Sequence, residues 1–235
     1  MNVSHVAHSR PDSSMTRPGW PEVAVGLAVV AGIGYGGASQ LFRVGLDPVA
    51  FGLILAALSG IAGLAGFAAA ASLRIRSLAV FGVRRTTKRW LWIGVAVGIA
   101  AFFLKGLATI AYIHLTGDSA NVQHVYATGG SDGVVSLVTA TLLIAVLTPV
   151  SEELLFRGVV ANALLRCGPV VGVIGSATIF ALMHGINIVL PAAFVAGLAT
   201  GEVFRRSGSV WPAIVVHVVF NLPTVPVMVM AGMTQ

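Results

Sequence analysis

The stretch VVSLVTATLLIAVLTPVSEELLFRGVV, residues 134–160, contains both the apolar run that determines the fold and a cluster of charges directly after it. Its first part has the composition of a membrane-spanning helix, which needs about 20 largely apolar residues. Glu152, Glu153 and Arg157 follow directly. Each charge at bilayer depth costs at least about 2.5–3.5 kcal/mol, so this cluster indicates a chemical role in an apolar environment.

Composition extends this conclusion to the whole chain. Of its 235 residues, 57% are hydrophobic and 9% are charged, whereas soluble domains have about a quarter charged. The sequence therefore predicts an all-α, polytopic membrane helix bundle with about seven transmembrane helices, and six or eight are the alternatives. Glycine patterns at Gly60–Gly63–Gly66 and at residues 197–201 predict close helix contacts. The predicted spans are Val23–Leu41, Val49–Ala71, Leu91–Leu115, Val134–Val150 with a continuation to Val160, Val170–Met183, Ile188–Phe204 and Trp211–Met230.

Basic residues predict the orientation, because short loops rich in Lys and Arg stay in the cytoplasm. The loop Thr116–Gly133 has no Lys or Arg and is predicted to lie outside. Residues 1–19 are predicted to form a disordered cytoplasmic tail, and residues 20–235 a single integral domain of the cell membrane. The residues that mark the second connection as cytoplasmic are Arg74, Arg76, Arg84, Arg85, Lys88 and Arg89.

The net charge of +6 and the isoelectric point near 10.5 raise the question of a nucleic-acid partner. The basic residues line one predicted membrane face, so anionic lipid is the simpler partner and nucleic acid is not expected. The single Cys167 excludes an intramolecular disulfide and is expected to be inert. Lys105 lies inside the third span, where it either snorkels or pairs with a carboxylate.

The first motif places two carboxylates on different sides of one helix. Glu153 and Arg157 are four residues apart and share a face, while Glu152 is turned about 100° away. One carboxylate can therefore be held by the arginine while the other stays available for reaction. A structural ion pair that only joins two helices is the alternative.

Two further motifs supply histidines. His184 ends the fifth apolar stretch, and Phe180 lies one turn earlier on the same face, where it can wall the site. His217 and Asn221 are four residues apart and point the same way, as two hydrogen-bond donors to one oxyanion would. Interhelical polar contacts are the alternative role, but such contacts contribute only about 0.6 kcal/mol each in membrane proteins.

Two hydrolytic mechanisms fit these residue types. In the first, Glu152 and His184 activate a water molecule, His217 and Asn221 stabilise the oxyanion, and no cofactor is needed. In the second, Glu152, His184 and His217 bind zinc, which activates the water. The sequence has no His-Glu-x-x-His segment and asparagine is an uncommon zinc ligand, so the metal-free mechanism is favoured.

The ordered set of motifs resembles the CPBP family of CAAX proteases and bacteriocin-processing enzymes, also called the Abi family, which includes the type II CAAX prenyl endopeptidases. The resemblance covers about Val134–Val225 and includes a glycine-rich span at Phe194–Gly208. It implies an intramembrane endopeptidase whose site opens toward the cytosol. Its partners would be membrane lipids and a peptide or protein substrate, in some relatives a lipidated one.

The resemblance also implies roles for single residues. Glu152 and His184 would activate water, and His217 and Asn221 would form the oxyanion hole. Glu153 and Arg157 would orient the others. Two different functions remain as alternatives: a non-proteolytic binding or bacteriocin-immunity protein with the same fold, and a small transporter that relays protons.

Depth in the membrane gives one geometric difficulty. At 1.5 Å per residue, Glu152 lies about 27 Å below an outer start at Val134, and His184 about 21 Å above a cytoplasmic start at Val170. In an apolar core about 30 Å thick, these depths disagree by more than about 10 Å. Two explanations are open: the predicted span boundaries are wrong by a few residues, or a kink at Pro149 brings the glutamates toward His184.

Overall fold

A computed structural model describes residues 17–234 of the chain, and these residues are helical apart from their connections. The predicted tail at 1–19 therefore lies largely outside the described residues. The helices are α1 Trp20–Val44, α2 Pro48–Ser72, α3 Lys88–Thr116, α4 His124–Gly129, α5 Gly133–Cys167, α6 Val171–Met183, α7 Leu190–Ser207, α8 Val210–Asn221 and α9 Thr224–Met230.

Within residues 17–234, five segments are long and apolar enough to cross a membrane: α1, α2, α3, α5 and the run Val210–Met230 that joins α8 and α9. This confirms a multi-pass helical bundle. The sequence predicted about seven spans because it included two further segments. The structure gives these as α6, which is apolar but shorter, and α7, which ends in a charged turn.

Local sequence explains where the long helices begin and end. The Asp47 carboxylate accepts hydrogen bonds from the backbone N–H groups of Val49 and Ala50, and Pro48 occupies the first turn of α2. The carboxylate satisfies free backbone N–H donors at the helix start, and the proline removes one because it has no N–H. Gly45 has φ of 71°, a left-handed conformation that ends α1 and that other residues rarely adopt.

The α5 helix lies at the centre of the bundle, in contact with α2, α6 and α8. Its approach to α2 depends on glycine. A Cβ atom at Gly63 would lie 2.5 Å from the hydroxyl oxygen of Ser151, and one at Gly60 would meet Leu147 equally closely. Such small residues let helix backbones approach each other in lipid. This contact fixes the part of α5 that carries Glu152 and Glu153.

Two π-helical turns interrupt α5, at Leu143–Leu147 and at Phe156–Ala161. They flank the regular α-helical segment Thr148–Leu155, which contains both glutamates. Pro149 has no N–H to donate, so the regular hydrogen-bond pattern is already incomplete just after the first π turn. π turns occur often at functional sites, where they change the face that the following residues present.

The basic loops lie together at one end of the bundle. Arg74 pairs with Glu22 at the start of α1, with a nitrogen–oxygen distance of 2.6 Å, and this hydrogen bond raises the pKa of Arg74. Arg166 donates to the backbone carbonyl of Pro18 at 3.4 Å, and Arg84 donates to that of Gly208. The predicted clustering of basic residues at one face is therefore present, while the cytoplasmic location of that face stays a prediction.

Candidate active site

Glu153 lies at the centre of a buried ionic cluster. Its Oε2 atom is 3.0 Å from Nε of Arg157, and its Oε1 atom is 2.8 Å from Nδ1 of His217. The Glu153 and Arg157 side chains are fully buried, and His217 is almost so. One carboxylate on α5 therefore holds both an arginine of its own helix and the histidine of α8.

Glu152 lies near two imidazoles that it does not bond directly. Its Oε1 atom is 3.7 Å from Nε2 of His184, and its Oε2 atom is 3.8 Å from Nε2 of His217. Both distances exceed a normal hydrogen bond, which spans about 2.7–3.2 Å. Glu152 remains 13% exposed, so this carboxylate stays accessible while Glu153 is enclosed.

Hydrogen bonds fix the tautomer of each histidine. The Nδ1 atom of His184 is 2.9 Å from the backbone carbonyl oxygen of Phe180, which can only accept, so Nδ1 carries the proton. The Nδ1 atom of His217 donates in the same way to Glu153. In their neutral forms, both rings therefore present an unprotonated Nε2 atom toward Glu152.

Asn221 ends α8 one turn after His217 and lines the same cavity as Glu152, His184 and His217. Its Nδ2 atom donates to the backbone carbonyl of Ile144 at 3.3 Å. Ile144 belongs to the first π turn of α5, so this bond ties the two helices together. The amide group has a second N–H, which is available to another acceptor.

Phe180 packs against most of the cluster, as its predicted role as a wall requires. Its ring centroid is 4.7 Å from that of His184 and 5.7 Å from that of His217, and both contacts are edge-on. The guanidinium carbon of Arg157 lies 5.0 Å from the same centroid. An aromatic ring in this position limits the rotation of both imidazoles and adds a cation–π contact.

Two cavities meet at Glu152 and His184, with volumes of about 380 and 680 Å³. Both residues line both cavities, whereas His217 and Asn221 line only the larger one. The larger volume is within the usual range for ligand sites, about 300–1,000 Å³. The predicted site residues therefore border a space large enough for part of a peptide.

The cavities extend to the end of the bundle opposite the basic loops. Ser119, Asn121 and Gln123, which line the larger one, follow the end of α3. That helix is about 43 Å long and begins at the basic end with Lys88. Both cavities therefore extend toward the end of the bundle away from the basic loops. With the basic loops in the cytoplasm, access from this end would differ from the cytosolic opening that the resemblance implies.

Sequence reasoning missed Thr200 as a partner of the cluster. Its hydroxyl oxygen is fully buried and accepts from Nε of Arg157 at 2.7 Å and from a second nitrogen of the same guanidinium. The hydroxyl in turn donates to the backbone carbonyl of Ala196 at 2.8 Å. Thr200 therefore links the ionic cluster of α5 to α7.

Sequence reasoning also missed the short helix α4, which places Gln123 and Tyr126 beside the cavities. Burial raises the pKa of the Tyr126 hydroxyl, and the charge of Glu152 adds to this shift. The phenol therefore keeps its proton and can act as a hydrogen-bond donor at the cavity wall. The loop containing α4 had only been predicted to be external.

The fit of zinc can be tested on the ligand distances. Ligand atoms of one tetrahedral zinc lie about 3.3–3.6 Å apart, because each is about 2.0–2.2 Å from the metal. The distances of 3.7 and 3.8 Å from Glu152 to the two imidazoles are wider than this. Within residues 17–234, no group of three or more His, Cys, Asp or Glu side chains has the arrangement of a metal site.

All six predicted site residues thus meet at the contact of α5, α6 and α8. Residues 134–223 match the family model described as Type II CAAX prenyl endopeptidase Rce1-like. This match confirms the resemblance to CAAX proteases for the segment that carries the site, and it supports a protease function in general. Comparison with curated proteins and with solved structures gives no match.

Proposed function

We propose that the protein is a CAAX-protease-like intramembrane endopeptidase in which Glu152 and His184 activate a water molecule without a metal. The observation that carries this proposal is the pair of distances from Glu152, 3.7 Å to His184 and 3.8 Å to His217. Together with the family match, this geometry supports hydrolysis of a peptide or protein substrate.

A water molecule between Glu152 and His184 would be well oriented for attack. Two atoms 3.7 Å apart can both lie about 2.8 Å from one oxygen atom. The carboxylate oxygen and the unprotonated Nε2 atom are both acceptors, so the water would donate one hydrogen to each. A lone pair of the water oxygen then points away from both and toward a substrate carbonyl.

His217 and Asn221 would stabilise the negative oxygen that forms on attack. Asn221 has a free N–H, but His217 can donate from Nε2 only as an imidazolium, because its other proton is committed to Glu153. The proposed mechanism therefore uses His217 as an imidazolium, whose positive charge would pair with the buried Glu153 carboxylate at 2.8 Å.

The proton balance of the reaction then needs no other group. Glu152 takes a proton from the water as the oxygen–carbon bond forms, giving a tetrahedral intermediate. When the carbon–nitrogen bond breaks, Glu152 returns that proton to the leaving amine. Glu153, Arg157 and Thr200 take no part in proton transfer in this scheme, and they hold His217 in position.

The test is cleavage of a fluorogenic prenylated CAAX peptide by the purified protein in detergent. We expect cleavage to persist after dialysis against EDTA and 1,10-phenanthroline, with products identified by mass spectrometry. Loss of cleavage that zinc restores would replace the metal-free mechanism with the zinc one. Failure to cleave this peptide and a library of membrane-anchored apolar peptides would refute the endopeptidase proposal.

We further propose that the site is reached from the side away from the basic loops, because the cavities end at the loop after α3. The single Cys167 is exposed at the end of α5, beside Arg166, and serves as a natural label. A second protein carries Ser119→Cys with Cys167→Ser. In intact cells, an impermeant maleimide should label residue 119 directly and residue 167 only after permeabilisation. The reverse pattern would place the site on the cytosolic side.

A further inference from the structure

The larger cavity contains a charged group that the proposed mechanism does not use. Lys105 lies on α3, about 25 Å along the helix from Lys88 and about 17 Å from Thr116. Both helix ends are distant, so the ammonium group lies at the depth of the apolar core. A lysine there costs at least about 2.5–3.5 kcal/mol and is generally functional.

The contacts of Lys105 leave part of its binding capacity unused. Its Nζ atom donates to the backbone carbonyl of Phe220 at 3.3 Å and to the hydroxyl of Thr224 at 3.1 Å. It also lies 5.0 and 4.5 Å from the ring centroids of Phe102 and Phe220. An ammonium has three N–H donors, so one remains. Within residues 17–234, no Asp or Glu side chain pairs with Nζ.

A purely structural role accounts for only some of these contacts. Lys105 binds the carbonyl of Phe220 near the end of α8, where a cation is favourable to the helix dipole. A neutral donor could make the same two hydrogen bonds without a charge at this depth. The unpaired ammonium in the cavity wall is instead the arrangement expected where an anionic ligand arrives.

We propose that Lys105 is a specificity-determining residue that binds the terminal carboxylate of the substrate. This inference rests on the proposed function, because it places a peptide in the larger cavity. The lining around Lys105 is largely apolar and therefore favours a peptide with apolar side chains. The one negative charge that every such peptide carries is its terminal carboxylate. Lipid phosphates lie at the helix ends, far from Nζ. Apolar residues that line this cavity include Phe102, Ile110, Ile113, Ile144, Val227 and Met228.

The test compares two dansylated prenylated peptides without Asp or Glu, one with a free terminal carboxylate and one with a terminal amide. Binding is measured by anisotropy in nanodiscs with the Glu152→Gln variant, so that no cleavage occurs. Because a hydrogen bond to a charged group is strong, the carboxylate should bind about tenfold to a hundredfold more tightly than the amide. Adding Lys105→Met should abolish this ratio, and adding Lys105→Arg should retain most of it.

Lys88→Met is the matched control, because it removes the other lysine of α3, which is exposed at the basic end. It should leave the carboxylate preference unchanged. Equal binding of the two peptides to the unmodified Lys105 protein would overturn the inference even if the variants fail to fold. A Lys105 effect that depends on anionic lipid rather than on amidation would assign Nζ to lipid phosphate.

Cleavage by the protein with Glu152 intact is measured separately. If the peptides are cleaved without a Lys105-dependent preference, this inference fails while the endopeptidase proposal stands. If the preference is present without cleavage, the binding site stands and the endopeptidase proposal fails.

Discussion

Replacing Glu152 with Gln is expected to lower kcat for peptide cleavage by about a thousandfold. Glutamine has the same shape and can still accept a hydrogen bond, but it cannot take a proton from water at neutral pH. General acid–base catalysis by one positioned group contributes about 10²–10⁴-fold. Because Glu152 makes no direct hydrogen bond to another group of the described part of the chain, the fold and substrate binding should be retained. Single-turnover cleavage and peptide binding, measured on the same preparation, separate these effects.

Glu202→Gln is the control for a general effect of removing a carboxylate. Glu202 lies on α7 and pairs with Arg205 at 2.7 Å, away from both cavities, so its loss should leave kcat within about twofold of the starting value. An active Glu152→Gln protein would assign the base to another residue. A Glu152→Gln protein that loses cleavage but keeps its biological effect would favour the binding or immunity function.

The sequence predicted the composition of the site better than its depth. His184 and Glu152 were placed at depths that differed by more than about 10 Å, because the fourth span was assumed to start at the outer face and to match the membrane thickness. The structure gives α5 35 residues, so it extends beyond such a core. Measured from the basic end, Glu152 is about 22 Å from Cys167 and His184 is about 20 Å from Val171. The two side chains therefore lie at nearly the same depth.

Residues that act through tertiary contacts could not be predicted in the same way. Thr200 lies within a glycine pattern that predicted helix packing, and Gly197 does pack against Ala177. A threonine in a helix normally bonds its own backbone, as Thr200 does through Ala196. Nothing in the sequence shows that its oxygen also accepts from Arg157, because that contact joins residues 43 positions apart.

The orientation of the carboxylates was predictable because it depends only on helix geometry. Spacing of four residues predicted that Glu153 and Arg157 share a face, and the structure gives them as an ion pair. The short loop helix α4 has no comparable pattern, since six residues contain less than two helical turns. Its position depends on packing against α2, where Gly52 allows the close approach of Gly129.

Arg157→Met is expected to be the most destabilising single substitution in the site. It leaves the buried Glu153 carboxylate without its guanidinium, and breaking a buried ion pair from one side costs about 3–5 kcal/mol. It also frees the hydroxyl of Thr200 from its contact with α5. We expect the melting temperature in detergent, measured by size-exclusion after heating, to fall by about 10 °C.

Arg205→Met is the matched control, because it removes an arginine three residues from its carboxylate on the partly exposed surface of α7. Glu202 keeps its contact with Arg206, so the melting temperature should change by no more than about 2 °C. The double variant Glu153→Gln, Arg157→Met should recover much of the lost stability, since it removes the unpaired charge. Its activity should nevertheless stay low, because His217 would lose the carboxylate that fixes its tautomer. Equal melting temperatures for Arg157→Met and Arg205→Met would show that the buried pair does not stabilise the contact of α5 with α7 and α8.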